Sequence, residues 1–213
     1  MLYSPLFISR WNNKNWTVVG DSNTELNWAG EIKYPGYISE DLGLKVQNLG
    51  KSGSGWFNTW KAGYEAFYLR LDEVDKEADL ITFLGGGNDY AETEKPFVLG
   101  TLGDTDALSS FYGALDHTIS TAINMFPNAT IATFTQFRRD VGQPTNPQLE
   151  AMVRAELEVT AKYGIPCLNL YHQANQYPWL TWYRERYMID GIHLNDAGHK
   201  KLAFKMIPFI EGL

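Results

Sequence analysis

The sequence predicts an α/β protein: a parallel β-sheet covered by helices on both faces, a three-layer α/β/α sandwich. Two observations carry this. Five short runs rich in β-branched and aromatic residues recur along the chain, and longer helix-like stretches separate them. The runs are apolar without strict alternation, as strands buried on both faces are. Such a chain closes with right-handed crossovers and places ligand sites beyond the carboxyl ends of its strands.

The first strand is expected at WTVVG (16–20), which leaves through Gly20-Asp21 into a polar turn bearing Ser22. A helix is expected near 34–42. The second strand, LKVQNLG (44–50), runs into a glycine-rich turn, with a helix expected over 57–75. The third, DLITFLGG (79–86), ends in glycines followed by Asn88, and a helix is expected over 107–126. After the fourth strand, ATIATFT (129–135), the helix 147–163 has Asn146 as N-cap and Pro147 at its first position. The fifth strand is IPCLNLY (165–171). The last helix, 196–210, follows the capping types Asn195 and Asp196, and its Ala197, Leu202, Phe204, Met206 and Phe209 suit docking on a sheet. Two long connections, 88–106 and 136–146, leave the carboxyl edge, where loops carry function.

At 213 residues the chain is expected to form one domain, 1–213, with residues 1–15 as an N-terminal extension. A net charge of −7 and the lack of any basic run argue against a nucleic-acid partner. No stretch approaches the ~20 apolar residues of a membrane span, so no membrane partner is expected. The N-terminus lacks the cationic start and cleavage site of a signal peptide. The chain is therefore expected in the cytoplasm or, within a larger assembly, on a virion or cell surface; oligomeric state is not legible. The single Cys167 excludes an internal disulfide and is expected to be an inert core thiol. Trp56, Trp60, Trp179, Trp182 and Tyr183 lie near the glycine- and histidine-bearing segments, where flat rings stack on sugars or line an acyl pocket.

Four segments carry chemistry. Ser22 lies in GDSNT, which is not a G-x-S-x-G elbow because position 24 is Thr; alone, it reads as a cap or turn more readily than as a nucleophile. In NLGKSGSGW (48–56) a glycine-rich turn exposes N–H groups that hold a phosphate or an oxyanion, yet a phosphate loop needs Gly where Lys45 stands. GGGNDY (85–90) allows close backbone approach and brings the neutral amide of Asn88 to the same edge. In IDGIHLNDAGH (189–199) Asp190 precedes His193 by three residues, close enough for the carboxylate to fix the imidazole tautomer. His199 is expected to be exposed, and Asp190, His193, Asp196 and His199 follow no familiar metal spacing, so no metal is expected. His117 and His172 have no suggestive neighbours. In a parallel sheet these segments converge on one edge and supply a hydroxyl, a base, an orienter for it and oxyanion donors, a complete acyl-transfer set.

At these residues the chain resembles the SGNH (GDSL-type) hydrolases over residues 16 to about 210. GDSNT is similar to the first block, with Asn23 where Leu or Ile is commoner; NLGKSGSG, GGGND and DGIHLN are similar to the others. By position, the resemblance makes Ser22 the nucleophile, His193 the base and Asp190 the triad acid. The oxyanion donors are the N–H groups of Ser22 and Gly53 and the side chain of Asn88; Gly53 is preferred to Gly50 and Gly55 by its spacing from Asn48. The family fold is a flavodoxin-like five-stranded parallel sheet, and its chemistry is two-step ester hydrolysis without metal or organic cofactor. The segment GNDY…PFVLGTLGDTD…FYGAL looks like SGNH domains of bacterial surface and phage tail proteins, many of which remove O-acetyl groups from polysaccharides. The expectation is thus a serine esterase of short acyl esters, acting on an acylated carbohydrate or another small ester. Trp56, Tyr90, Arg138 and Trp182 are expected to touch substrate, and Arg138-Arg139 either meets an acidic glycan or forms a solvated loop. The alternatives are a lipid or thioester hydrolase of longer-chain preference and a catalytically idle glycan-binding module; a nucleotide binder of the same fold lacks its signature here.

Overall fold

The computed structural model describes residues 8–26, 32–57, 65–90, 97–139 and 143–213. Five strands form one parallel sheet: β1 (Asn15–Gly20), β2 (Lys45–Gly50), β3 (Leu80–Gly85), β4 (Thr130–Thr135) and β5 (Cys167–Leu168), in the order β2-β1-β3-β4-β5. The order reverses on either side of β1, so the carboxyl end of β1 lies at the switch point where such sheets take ligands. Ser22 is two residues beyond it.

Helices cover both faces. Along β1 alternate residues divide between them: Trp16 and Val18 face α1 (Tyr34–Leu42) and α6 (Asp196–Glu211), whereas Val19 faces α2 (Phe111–Met125) and α3 (Pro147–Tyr163). β3 divides likewise, Leu80 and Leu84 to one side and Ile81 and Phe83 to the other. Both sides of the sheet are thus apolar, which is why the strands read as unbroken hydrophobic runs. Asn146 caps α3 as expected, its Oδ1 accepting the N–H groups of Gln148 and Leu149 at 3.1 and 3.0 Å. Asn195 caps α6 through Gly198 N–H at 3.0 Å. Ser9–Lys14, ahead of β1, pack against the far end of α6, where the buried Trp11 indole donates to Ile210 O at 2.7 Å.

The structure corrects several expectations. The helix expected over 57–75 is, among the described residues, only a 3-10 helix, Phe67–Glu73; residues 58–64 lie outside them. Its Arg70 turns inward to bond distant backbone, which a solvated amphipathic α-helix would not do. The fifth strand shortens to Cys167–Leu168 because Asn169 at once caps a short helix, α4 (Leu170–Gln173), by accepting His172 N–H at 3.1 Å. A further helix, α5 (Thr181–Tyr187), precedes the histidine loop. The helices expected near 34–42, 107–126, 147–163 and 196–210 fall where expected, α2 starting later because Ser110 supplies its cap, although Ala197 and Phe204 of the last are exposed rather than docked. Among the described residues no helix is long and apolar enough to cross a membrane.

Candidate active site

The chain leaves β1 in a tight turn in which the N–H groups of Thr24 and Glu25 both donate to Asp21 O at 3.0 Å. Asp21 Oδ1 also accepts Asn23 N–H at 2.8 Å, an Asx arrangement that holds the bend. Ser22 tops this turn, 6% exposed, with its Oγ 2.9 Å from His193 Nε2. His193 Nδ1 lies 2.7 Å from Asp190 Oδ2, and Asp190 Oδ1 accepts the backbone N–H groups of His193 and Ile192 at 2.8 and 2.9 Å. Partial burial works to raise the Asp190 carboxyl, but the His193 backbone N–H, the imidazole and the Ile192 N–H outweigh it and hold the group below the usual carboxylate range. An ionised Asp190 in turn fixes the imidazole with its proton on Nδ1 and a lone pair on Nε2 facing Ser22.

The second and third segments close on this turn. Asn48 Nδ2 donates to Thr24 O at 2.7 Å, which ties the end of β2 to the serine turn. Gly53 has φ +76°, a left-handed conformation that suits glycine, in the bend that follows. Asn88 Nδ2 donates to Ser54 O at 3.0 Å, so its amide lies beside Gly53. Asp89 accepts the N–H groups of Trp56 and Phe57 at 3.1 and 2.7 Å and fastens the second loop to the third. All four chemistry-bearing segments therefore meet at one sheet edge.

Beneath them lies a charged layer that the sequence reading missed. Arg70, buried, reaches Leu49 O, Gly20 O at 3.2 Å and Ser54 Oγ at 2.7 Å, and Ser54 Oγ itself donates to Gly20 O. Lys33, also buried, points Nζ at Ser22 O, 3.4 Å away; burial pushes its ammonium down to about 8 against the pull of Asp21, Glu25 and Asp196. Burial pushes the Asp21 carboxyl up, opposed by Arg139, the Asn23 N–H, His193 and Lys33. Nothing local marks Arg70 or Lys33, because the hydrogen-bond partners of their charged heads lie 11 to 50 residues away.

Several expected site residues lie elsewhere. Trp56 is fully buried, packed on Phe67 and Phe83 with ring centroids 5.0 and 5.4 Å away; it is core and does not touch substrate. His199 is buried rather than exposed, because α6 packs it against the Tyr34 ring, and burial lowers it to about 3, so it stays neutral. Arg139 is 7% exposed, not solvated, with its guanidinium packed on Gly87. Arg138 stacks over Tyr171 at 4.8 Å and Trp179 at 5.5 Å. Trp182, on α5, is 53% exposed; Tyr90 is half-buried, and Asn146 Nδ2 donates to its hydroxyl at 3.4 Å. Trp60 lies outside the described residues. Cys167 is half-buried, and burial pushes its thiol up, away from thiolate reactivity. Among the described residues no group of three or more His, Cys, Asp or Glu is gathered as a metal site, and Asp190, His193, Asp196 and His199 form none.

A crystal structure of a protein from Lactobacillus plantarum is 28% identical and superposes with a TM-score of 0.81, covering 94% of this chain and 98% of its own. A possible lipase from Chitinophaga pinensis is 20% identical, with a TM-score of 0.73 over 93% of this chain and 98% of its own. A catalytic mutant of an acetylxylan esterase from Geobacillus stearothermophilus is 17% identical, with a TM-score of 0.66 over 93% and 94%. The last two share the fold. No curated protein matches the chain. Residues 18–201 match the GDSL-like lipase/acylhydrolase family, and that span contains all four segments gathered at the sheet edge. The chain is a member of the GDSL-like (SGNH) hydrolase family.

Proposed function

We propose that the protein is a serine esterase of short acyl esters whose substrate is an O-acetylated polysaccharide. One observation carries the chemistry: the continuous relay from Asp190 Oδ2 through His193, 2.7 Å on one side, to Ser22 Oγ, 2.9 Å on the other. His193 Nε2 takes the Ser22 proton as Oγ attacks the acyl carbon, and Asp190 stabilises the imidazolium. The N–H groups of Ser22 and Gly53 donate to no acceptor among the described residues, which leaves them for the oxyanion. Asn88 commits one of its two amide hydrogens to Ser54 O and keeps the second for the oxyanion. His193 returns the proton to the departing alcohol, and water then repeats the cycle on the acyl-serine to release the acid.

The carbohydrate part rests on the surroundings. Trp182, Tyr177 and Trp179 form an aromatic face around Tyr183, with successive ring centroids 5.5–5.7 Å apart. Beside it a shallow surface is lined by Arg138, Arg139, Thr145, Asn146 and Tyr171. Arg138 and Arg139 bring positive charge to this surface, which supports an acidic sugar. Trp182, Tyr90 and Arg138 are the substrate-touching residues of this reading. Hydrolysis of p-nitrophenyl acetate, butyrate and octanoate, together with acetate release from acetylated glycans, tests it. Acetate should be the best simple ester, a glycan should release acetate, and S22A should abolish both. Rates rising toward octanoate would replace this reading with a lipid or thioester hydrolase. No reaction with any ester and no labelling of Ser22 by a serine reagent would leave a glycan-binding module.

A further inference from the structure

Asn23 follows the serine and stands where Leu or Ile is commoner in the blocks this chain resembles. It is fully buried, and its Oδ1 accepts the Leu194 N–H at 3.2 Å across 171 positions of sequence. Leu194 follows His193 directly. One amide therefore joins the residue after Ser22 to the residue after His193. With the Ser22–His193 contact itself, it ties the 21–25 turn to the 188–195 loop. Both ends are anchored. The Asn23 N–H is fixed by Asp21 Oδ1, and Leu194 pairs with Met188 in an isolated antiparallel bridge, where Ile189 N–H donates to His193 O at 2.9 Å. The opposite amide orientation would set NH₂ against N–H, so the acceptor role is dictated by the partner.

The same side chain is a poor choice for stability. Its Nδ2 is buried with no hydrogen-bond partner among the described residues, a cost that an apolar residue of similar size would not carry. A residue that helps hold Ser22 and His193 in register while leaving a donor unsatisfied serves geometry. We propose that Asn23 is a positioning residue, which holds the His193 loop at the distance where Nε2 meets Ser22 Oγ. The proposal rests on the serine-esterase reading.

The test compares wild type, N23L and N23A in hydrolysis of p-nitrophenyl acetate, with kcat, KM and Tm measured on each. Misplacing a reacting group by a fraction of its contact distance should lower kcat by about tenfold to a hundredfold. KM should stay within about twofold, because acyl binding does not use this bond. In N23L the loss of the unpaired Nδ2 offsets the Leu194 N–H left without its acceptor, so Tm should hold as kcat falls, a divergence that a merely structural role would not produce. The proposal is overturned if kcat in both variants stays within about twofold of wild type, or if kcat and Tm fall together in both. N23A adds no bulk and decides the matter alone if N23L does not fold. A wild type inactive on every ester would instead overturn the esterase reading beneath it.

Discussion

The Asp89 carboxylate occupies the space beside Gly55 so closely that a Cβ on Gly55 would lie 2.3 Å from its nearer oxygen. That carboxylate accepts two buried N–H groups of the next residues, Trp56 and Phe57. G55A must therefore displace Asp89 and strip two acceptor contacts, at about 1–3 kcal/mol for each N–H left unpaired. The expected outcome is a loss of several degrees in Tm, with kcat falling through movement of neighbouring Asn88. A G55A protein that melts with wild type would show that the loops join in some other way.

Asn88 itself gives a cleaner reading. N88A removes a donor aimed at charge that develops only in the transition state, so kcat should fall by roughly 10²–10³ while KM changes little. A rise in KM at constant kcat would assign Asn88 to substrate binding instead.

Glu156, buried in α3 against the sheet, sets a pH dependence of stability. Burial pushes its carboxyl up to about 8, helped by Asp89 and opposed by the nearby Thr133 hydroxyl. In the unfolded chain the group ionises near the ordinary Glu value of about 4.3. Between those values the native state holds a proton that the unfolded state has released, so stability falls as pH rises toward 8. Tm should decline from pH 5 to 8 in wild type and decline less in E156Q. Equal slopes in the two proteins would refute a neutral Glu156.

Arg70 clamps the ends of β1 and β2 by donating to Leu49 O and Gly20 O, and it also fixes Ser54 Oγ beside Gly53. R70M keeps much of the aliphatic stem but removes the donors to Leu49 O and Ser54 Oγ and one of the donors to Gly20 O, which keeps the Lys51 N–H and Ser54 Oγ. Tm should drop and kcat with it, and R70K should restore little because an ammonium cannot reproduce the fork. Full recovery in R70K would mean that charge alone matters.

What the sequence shows and hides follows from distance along the chain. The caps at Asn146 and Asn195 bond groups two or three residues away, so the helices they start are legible. The four chemistry segments each end a strand or precede a helix, and the parallel topology gathers them without further information. Arg70 bonds backbone 21 and 50 residues away, and Asn23 bonds a group 171 residues away; no local pattern announces either. His199 fails for the same reason, since its burial depends on α6 meeting Tyr34. The residues that hold the site together are harder to read than those that compose it.

Trp56 and Trp182 separate packing from recognition. Both looked like candidate sugar platforms, but Trp56 is fully buried between Phe67 and Phe83, whereas Trp182 is 53% exposed. W56A removes a core indole and should cost about 3–5 kcal/mol, seen as a large fall in Tm with every substrate affected through lost folded protein. W182A removes an exposed ring, so Tm should barely move. If a sugar stacks on that ring, about 0.5–1.5 kcal/mol is lost, and kcat/KM for an acetylated oligosaccharide should fall about twofold to tenfold relative to p-nitrophenyl acetate. A ratio that W182A leaves at the wild-type value would remove Trp182 from the substrate surface and turn attention to the Arg138–Trp179 stack, which the same ratio measured on R138M would then examine.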